Sequence, residues 1–499
     1  MIKTFRSLSN YTKDIFCYYL LCQVPTLNTI MGTDDVSKQV DILTEVFNES
    51  LDSCAPIVTK KITRPPAPWM TQEILEEMQK RDELRNLRDI NFSEQSIENY
   101  KLSKNHVNQM VNTAKRGHFN KKLIENKGNV WDVLREIVPS KQKDKRDCSF
   151  ENIEETANNF NEYFANVGRN VYAETQEYRE DRVNERDHEP RDAHENANFY
   201  RPRNQFRPQP VYFDEVASTI ANMKNKNSHG SDGMTTRFLK DSLTVLTFYI
   251  TMIVNTSIVT GVVPRQWKNA IVCPLYKQGN TLEPSNFRPV SLLPVLSKVL
   301  EKIVANQLYS YMEENNRFSN SQHGFRKKLS TETALNIIME EVFKNLDSNE
   351  ISLLTLCDLS KAFDSVSHEL LIEKLDTLHI DEFWFKNYLS ERTQSVKIEG
   401  HISDKKGISY GVPQGSILGP LLFNIYVNDL QSKLDSCPLV QYADDSQFLI
   451  SGKTSEIIDI VDACENKSNV LMDYFANNGL KLNADKTNFL FIGSRQNIS

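Results

Sequence analysis

Pro438–Ser451 reads PLVQYADDSQFLIS, and the fold turns on how these fourteen residues are taken. Apolar and polar residues alternate on both sides of Ala443-Asp444-Asp445, the pattern of a two-stranded hairpin with acids at its tip. Two neighbouring carboxylates on a tight turn repel one another, so they are either fully solvated or compensated by a cation. A solvated turn is the commoner arrangement, yet Tyr442, Phe448, Leu449 and Ile450 suit a half-buried strand pair better than a surface loop. A third carboxylate on another strand would complete a divalent-cation site.

Ile351–Leu371, ISLLTLCDLSKAFDSVSHELL, supplies it. A run of β-formers ends at Asp358, and Asp364 follows as the chain turns towards a helix. A carboxylate at the end of a buried strand is fixed by the strand and left open by the loop, although Asp in that place is also a common turn or cap residue. With Asp444 and Asp445, Asp358 makes a trio of the kind that holds two Mg²⁺ ions ~3.5–4 Å apart, the arrangement that activates a 3′-hydroxyl and steadies a departing pyrophosphate. A third segment, ISYGVPQGSILGPLLFNIYVNDL (408–430), carries Gly411, Pro413 and Gly415 in a loop whose backbone can approach a ligand, and Ser416 can cap the apolar helix that follows. Free N–H groups at such a helix start favour phosphate or sugar contact; an ordinary strand-to-helix turn is the alternative.

Around these segments the order is mixed α and β without the regular alternation of a doubly wound sheet. Helical spacing covers 36–56, 69–138, 212–224, 238–260, Val295–Met312 and 331–347, and a polar stretch at 174–210 reads as a linker. With 39% apolar and 25% charged residues, 17 Gly and 18 Pro in 499, the chain is globular, which excludes collagen-like and wholly disordered classes. The apolar run Ile15–Cys22 is far short of the ~20 residues that span a bilayer. Eight cysteines show no C-x-x-C pair, which favours reduced, buried thiols. The net charge of −7 is uneven: 101–146 holds twelve Lys/Arg against four acids, either a solvated helical face or a basic arm for a nucleic-acid backbone.

In this order and spacing, NFRPVSLL (286–293), QHGFRKKLSTETA (322–334), DLSKAFDSVSH (358–368), GVPQGSILGPLLFNIYVNDL (411–430), YADD (442–445) and NGLKLNADKTNFLFIG (478–493) resemble the successive motifs of reverse transcriptases of non-LTR, jockey-like retrotransposons. Six collinear motifs are far more specific than any one. The resemblance covers about 212–493 and implies an α+β right-hand polymerase, with fingers and a palm whose antiparallel sheet carries the acids, preceded by a helical N-terminal region.

It further implies Asp358 and Asp444 as principal metal ligands and Asp445 as a supporting one, with two Mg²⁺ ions or Mn²⁺ in their place. Phe363 would be the platform beneath the incoming sugar, favouring dNTP over NTP. Gln414 and Gly415 would line the nucleotide and template side, and Arg288 and Lys277 would clamp the triphosphate. Arg326 would hold the template or the nucleotide, and Lys486 would donate a proton to pyrophosphate. The domain expectations are an N-terminal linker remnant (1–68), a basic helical region (69–173), a polar disordered linker (174–211) and the reverse transcriptase domain (212–499), with endonuclease and thumb missing. Partners would be an RNA template, a DNA primer or target and dNTPs, with no membrane, in the nucleus and cytoplasm; a truncated, catalytically inert remnant that only binds nucleic acid is the alternative.

Overall fold

The computed structural model describes residues 2–61, 67–91, 93–125, 150, 152–185, 205–226, 228–434 and 437–495. The chain divides into two compact units, one of 1–7 with 57–149 and one of 8–56 with 150–499. In the first, Ile2–Arg6 and Ile57–Lys61 pair antiparallel, and Gln72–Asn91 and Glu94–Glu125 form a helical pair. Trp69 packs on Phe119, and Arg88 lies 4.4 Å from the centre of the Tyr100 ring. The basic residues at 127–146 lie outside the described residues.

The second unit is built around an antiparallel sheet in the order Leu439–Tyr442, Asp445–Gly452, Ile351–Cys357, Asn488–Ile492. Period-two alternation gives this sheet two apolar faces. Leu354, Leu449 and Val440 meet Ala334, Ile338 and Val342 of the helix Thr331–Asp347 on one side. Ile351, Leu353, Cys357, Leu439 and Phe448 meet Ile460, Cys464 and Leu471 of the helix Ile457–Asn477 on the other. A second sheet sets Asn269–Tyr276 between Phe287–Leu292, antiparallel, and Arg392–Ile398, parallel. A short pair, Leu359–Ser360 with Lys481–Leu482, closes off the end of the first sheet.

Three expectations of chain organisation are corrected. Residues 8–56, taken above as part of a linker remnant, belong to the main core. The helix Val36–Cys54, capped by the Asp35 carboxylate, buries Val36, Val40, Leu43, Phe47 and Leu51 at helical spacing against the same core as Leu239, Ile250 and Trp267. The boundary at 212 therefore cuts through packed structure. The expected linker at 174–211 begins as helix: Ile153–Glu185 runs on past 174, and Arg182 pairs with Asp473 at 3.1 Å. After the undescribed 186–204, Phe206 N–H bonds the His379 carbonyl and Val211 N–H bonds Asn255 Oδ1, both at 2.9 Å. Polar composition hid contacts made to residues distant in sequence. The helix Leu243–Thr260, unlike the shorter run Ile15–Cys22, is long and apolar enough to cross a membrane by length and composition; Leu246, Ile250, Ile253 and Val254 of it are core residues here.

Phe47→Ala should therefore destabilise the whole second unit. Removing a fully buried ring costs about 3–5 kcal/mol, read as a fall in the denaturation midpoint that includes signals from the sheet; an unchanged midpoint would separate 8–56 from that core.

Candidate active site

The hairpin expected from 438–451 forms as read, with Tyr442 paired to Asp445 across the two-residue turn Ala443-Asp444. The same strand pairs Ser446 with Cys357, so Asp445 and Asp358, each one step beyond that pair, lie on adjacent strands at one end of the sheet. Neighbouring strands are about 5 Å apart, and the charges interact. Burial, then the charge of Asp358, pushes the Asp444 carboxyl above the usual carboxylate range, with Arg288 and Lys486 opposing. Partial loss of hydration, then the charges of Asp444 and Asp358, does the same to Asp445, which still reaches the surface. The structure thus brings the three predicted acids together.

Asp358 is held more firmly than the other two. Asn483 donates its backbone N–H to the Asp358 carbonyl at 2.8 Å and its side-chain amide to Oδ2 at 3.1 Å. Lys486 Nζ reaches the same Oδ2 at 3.0 Å. Asn483 was not singled out in the sequence; its place directly after Lys481-Leu482, which pairs with Ser360-Leu359, explains its reach.

Cations gather opposite the acids. Lys277 follows the strand Asn269–Tyr276 and Arg288 lies on its antiparallel neighbour, across from Leu275. Both side chains reach the surface, and partial loss of hydration, then the charges of Arg288 and Lys486, depresses the Lys277 ammonium. Lys361 joins them: burial, then Lys277, lowers it, and its backbone is left-handed at φ +53°. Sequence reading passed over Lys361 because a lone lysine after a strand carries no signal.

Phe363 is half-buried, stacked on Phe423 with centroids 4.6 Å apart and edge-on to Phe325 at 6.3 Å, so its ring is fixed by other rings. Gln414 Nε2 donates to both oxygens of Asp364, at 2.9 and 2.8 Å, and its carbonyl accepts from Ser291 N–H at 2.8 Å. Gly415 follows at φ +129°, where a Cβ would stand 2.5 Å from the Ser291 carbonyl oxygen, so glycine is required for the loop to approach that strand. From behind, the buried Glu301 carboxylate accepts the Ile417 N–H at 2.6 Å and the Tyr388 hydroxyl at 3.0 Å.

Arg326 is not brought to the group. Its guanidinium contacts Glu313 from 3.1 Å, donates to the Ser319 carbonyl at 2.9 Å and lies over the Phe318 ring at 4.8 Å. A fork with several donors is drawn to a carboxylate and an aromatic face within its own fold, a demand that motif reading does not show.

Carboxylate oxygens are hard donors, and repelling carboxylates at a sheet end suit a hard divalent cation. Among the described residues no three His, Cys, Asp or Glu side chains converge on one ion. The Lys486 ammonium provides positive charge at Asp358. The chemistry of the donor set fits the cation, and the side chains would have to close around it.

Residues 275–497 match the family described as reverse transcriptase (RNA-dependent DNA polymerase), and this segment carries the whole acid trio. The chain is similar to the probable RNA-directed DNA polymerase from transposon BS of Drosophila melanogaster, 31% identical over 49% of this chain and 28% of that protein. It is 27% identical to the RNA-directed DNA polymerase from mobile element jockey of the same organism, over 55% of this chain and 31% of that protein. It is 34% identical to the probable polymerase from transposon X-element, over 46% and 26% respectively. These matches are all to RNA-directed DNA polymerases of mobile elements. The chain spans about three-tenths of the length of these curated relatives.

Enclosure pushes the Asp364 carboxyl up to about 6, against the pull of Gln414 and Lys361. The native state therefore holds this proton more tightly than the unfolded chain. The resulting stabilisation is complete below the unfolded carboxylate range and is lost as pH rises through about 6. Asp364→Asn should flatten this pH slope, by at most on the order of 2–3 kcal/mol between pH 4 and 7; chemical denaturation at stepped pH would show it, and an unaltered slope would contradict the enclosure.

Proposed function

We propose that this chain is an RNA-directed DNA polymerase of a non-LTR retrotransposon, extending a DNA 3′-hydroxyl with dNTPs on an RNA template inside the cell, in nucleus and cytoplasm. The observation that carries the reading is the placement of Asp358, Asp444 and Asp445 at one sheet end, close enough for their charges to act on one another and on Lys277, Arg288 and Lys486. In this reading the four-stranded sheet is the palm, and the sheet carrying Lys277 and Arg288 belongs to the fingers.

Each side chain then has work suited to its surroundings. Lys277 and Arg288 bind the triphosphate, their fixed charge offsetting the negative charge of the transferring group. Lys361, which shares the field of Lys277 and Asp364, adds to that attraction. Gln414, immobilised by Asp364, and Gly415 line the nucleotide and template side. The Phe363 ring, held by Phe423, fills the space a 2′-hydroxyl would need. Two divalent cations, Mg²⁺ or Mn²⁺, held by Asp358 and Asp444 with Asp445 in support, would when bound activate the attacking hydroxyl and stabilise the leaving pyrophosphate. Lys486, leaving Asp358, would deliver the proton from Nζ to that pyrophosphate.

Primer extension on poly(rA)/oligo(dT) tests the reading. The wild-type chain should extend the primer in Mg²⁺, and Asp444→Ala should lower the rate by at least about 100-fold, beyond the usual cost of an outer metal partner. No extension by the wild-type chain, with RNA still bound, would instead mark it as a nucleic-acid-binding remnant.

A further inference from the structure

Gln322 lies outside the acid trio, yet its side chain is devoted to the residue that sets the trio's turn. It is 1% exposed. Its Oε1 accepts the Ala443 N–H at 3.0 Å and the Gly324 N–H at 2.8 Å, and its Nε2 donates to the Ala443 carbonyl at 3.2 Å. One primary amide thus satisfies both backbone polar groups of a single residue. That residue stands immediately before Asp444 and Asp445 and is left-handed at φ +61°, a conformation that a residue with a Cβ adopts at a cost.

The surrounding contacts show that this bond is built in. The Gln441 N–H bonds the Ser321 carbonyl and the His323 N–H bonds the Gln441 carbonyl, both at 2.8 Å, so 321–323 lies as a parallel bridge along the hairpin. Asn424 Nδ2 holds the Gly324 carbonyl at 2.7 Å. A Cβ on Gly324 would stand 2.2 Å from the Ala443 nitrogen, so only glycine lets this segment lie against the turn. The chemistry also selects the amide. Glutamate keeps the acceptor and loses the donor, and methionine keeps the length and loses both.

We propose that Gln322 is a positioning residue for the polymerase reaction: by bonding both polar groups of Ala443 it holds the turn in the left-handed conformation that aims Asp444 and Asp445. This deepens the function proposed above and rests on it. Gln322 acts on the acids through Ala443, while its bond to the Gly324 N–H braces the segment that lies against the turn.

The test uses the full chain with Gln322→Met and Gln322→Glu, each made with Ala443 intact and with Ala443→Gly. Mn²⁺ binding is read by electron paramagnetic resonance, and kcat and KM for dTTP by primer extension. With Ala443 intact, Gln322→Met should weaken Mn²⁺ binding and lower kcat by roughly 10-fold each, the range typical of lost outer-shell support, with KM for dTTP nearly unchanged. Glycine reaches positive φ unaided, so in the Ala443→Gly background the same substitution should cost less than about threefold. Equal losses in both backgrounds, or Mn²⁺ affinity and kcat unaffected by Gln322→Met, would overturn the proposal. Should Gln322→Met fail to fold, Gln322→Glu, which keeps the acceptor, makes the same comparison. A wild-type chain that binds Mn²⁺ without extending primer would defeat the polymerase reading and leave the Mn²⁺ comparison to decide the role of Gln322.

Discussion

Negative charge crowded at the end of a sheet has to be answered by positive charge. That requirement organises this site. Asp444 and Asp445 occupy a turn that nearby aromatic and aliphatic residues draw partly out of water, and Asp358 adds its charge from the adjacent strand. Isolated, such a cluster would protonate or disperse. Here Lys486 pairs directly with Asp358, while Arg288 and Lys277 contribute their fields from the opposite sheet. On the proposed reading, the same cations that balance the acids attract the triphosphate. Cost to the fold and readiness for an anionic substrate have one origin.

Holding the charges in place falls to uncharged amides and one enclosed acid. Asn483 fixes Asp358 from the short strand pair, Gln322 fixes the turn before Asp444, and Gln414 is fixed in turn by Asp364. Glu301 reaches from the helix Val295–Glu314 to tie down the loop that follows Gly415. Each bond joins segments far apart in sequence. A buried polar group left unpaired would be penalised, so satisfying these groups also specifies one arrangement of the loops.

The contrast between what the sequence disclosed and what it concealed follows from the range of the interactions. The hairpin, the buried strand Ile351–Cys357 and the helix starts rest on local period and composition, and they were legible. The acid trio was legible as well, because carboxylates on apolar strands conflict with their surroundings. Residues 8–56 and 205–211 read as linker because their partners, such as Asp241 for Tyr11 and Asn255 for Val211, lie 230 and 44 residues away. Arg326 was assigned to substrate since a motif arginine gives no sign that Glu313 and Phe318 engage it. Gln322 sits in the motif QHGFR, yet nothing local says that its amide completes a left-handed turn 121 positions later.

A structure determined with Mn²⁺, located by its anomalous scattering, bears most directly on this account. Asp358 and Asp444 should share manganese at ordinary oxygen-donor distances, about 2.0–2.3 Å, with the Lys486 ammonium displaced from Asp358. Manganese absent from the sheet end at saturating concentration, with Lys486 still paired to Asp358, would contradict it.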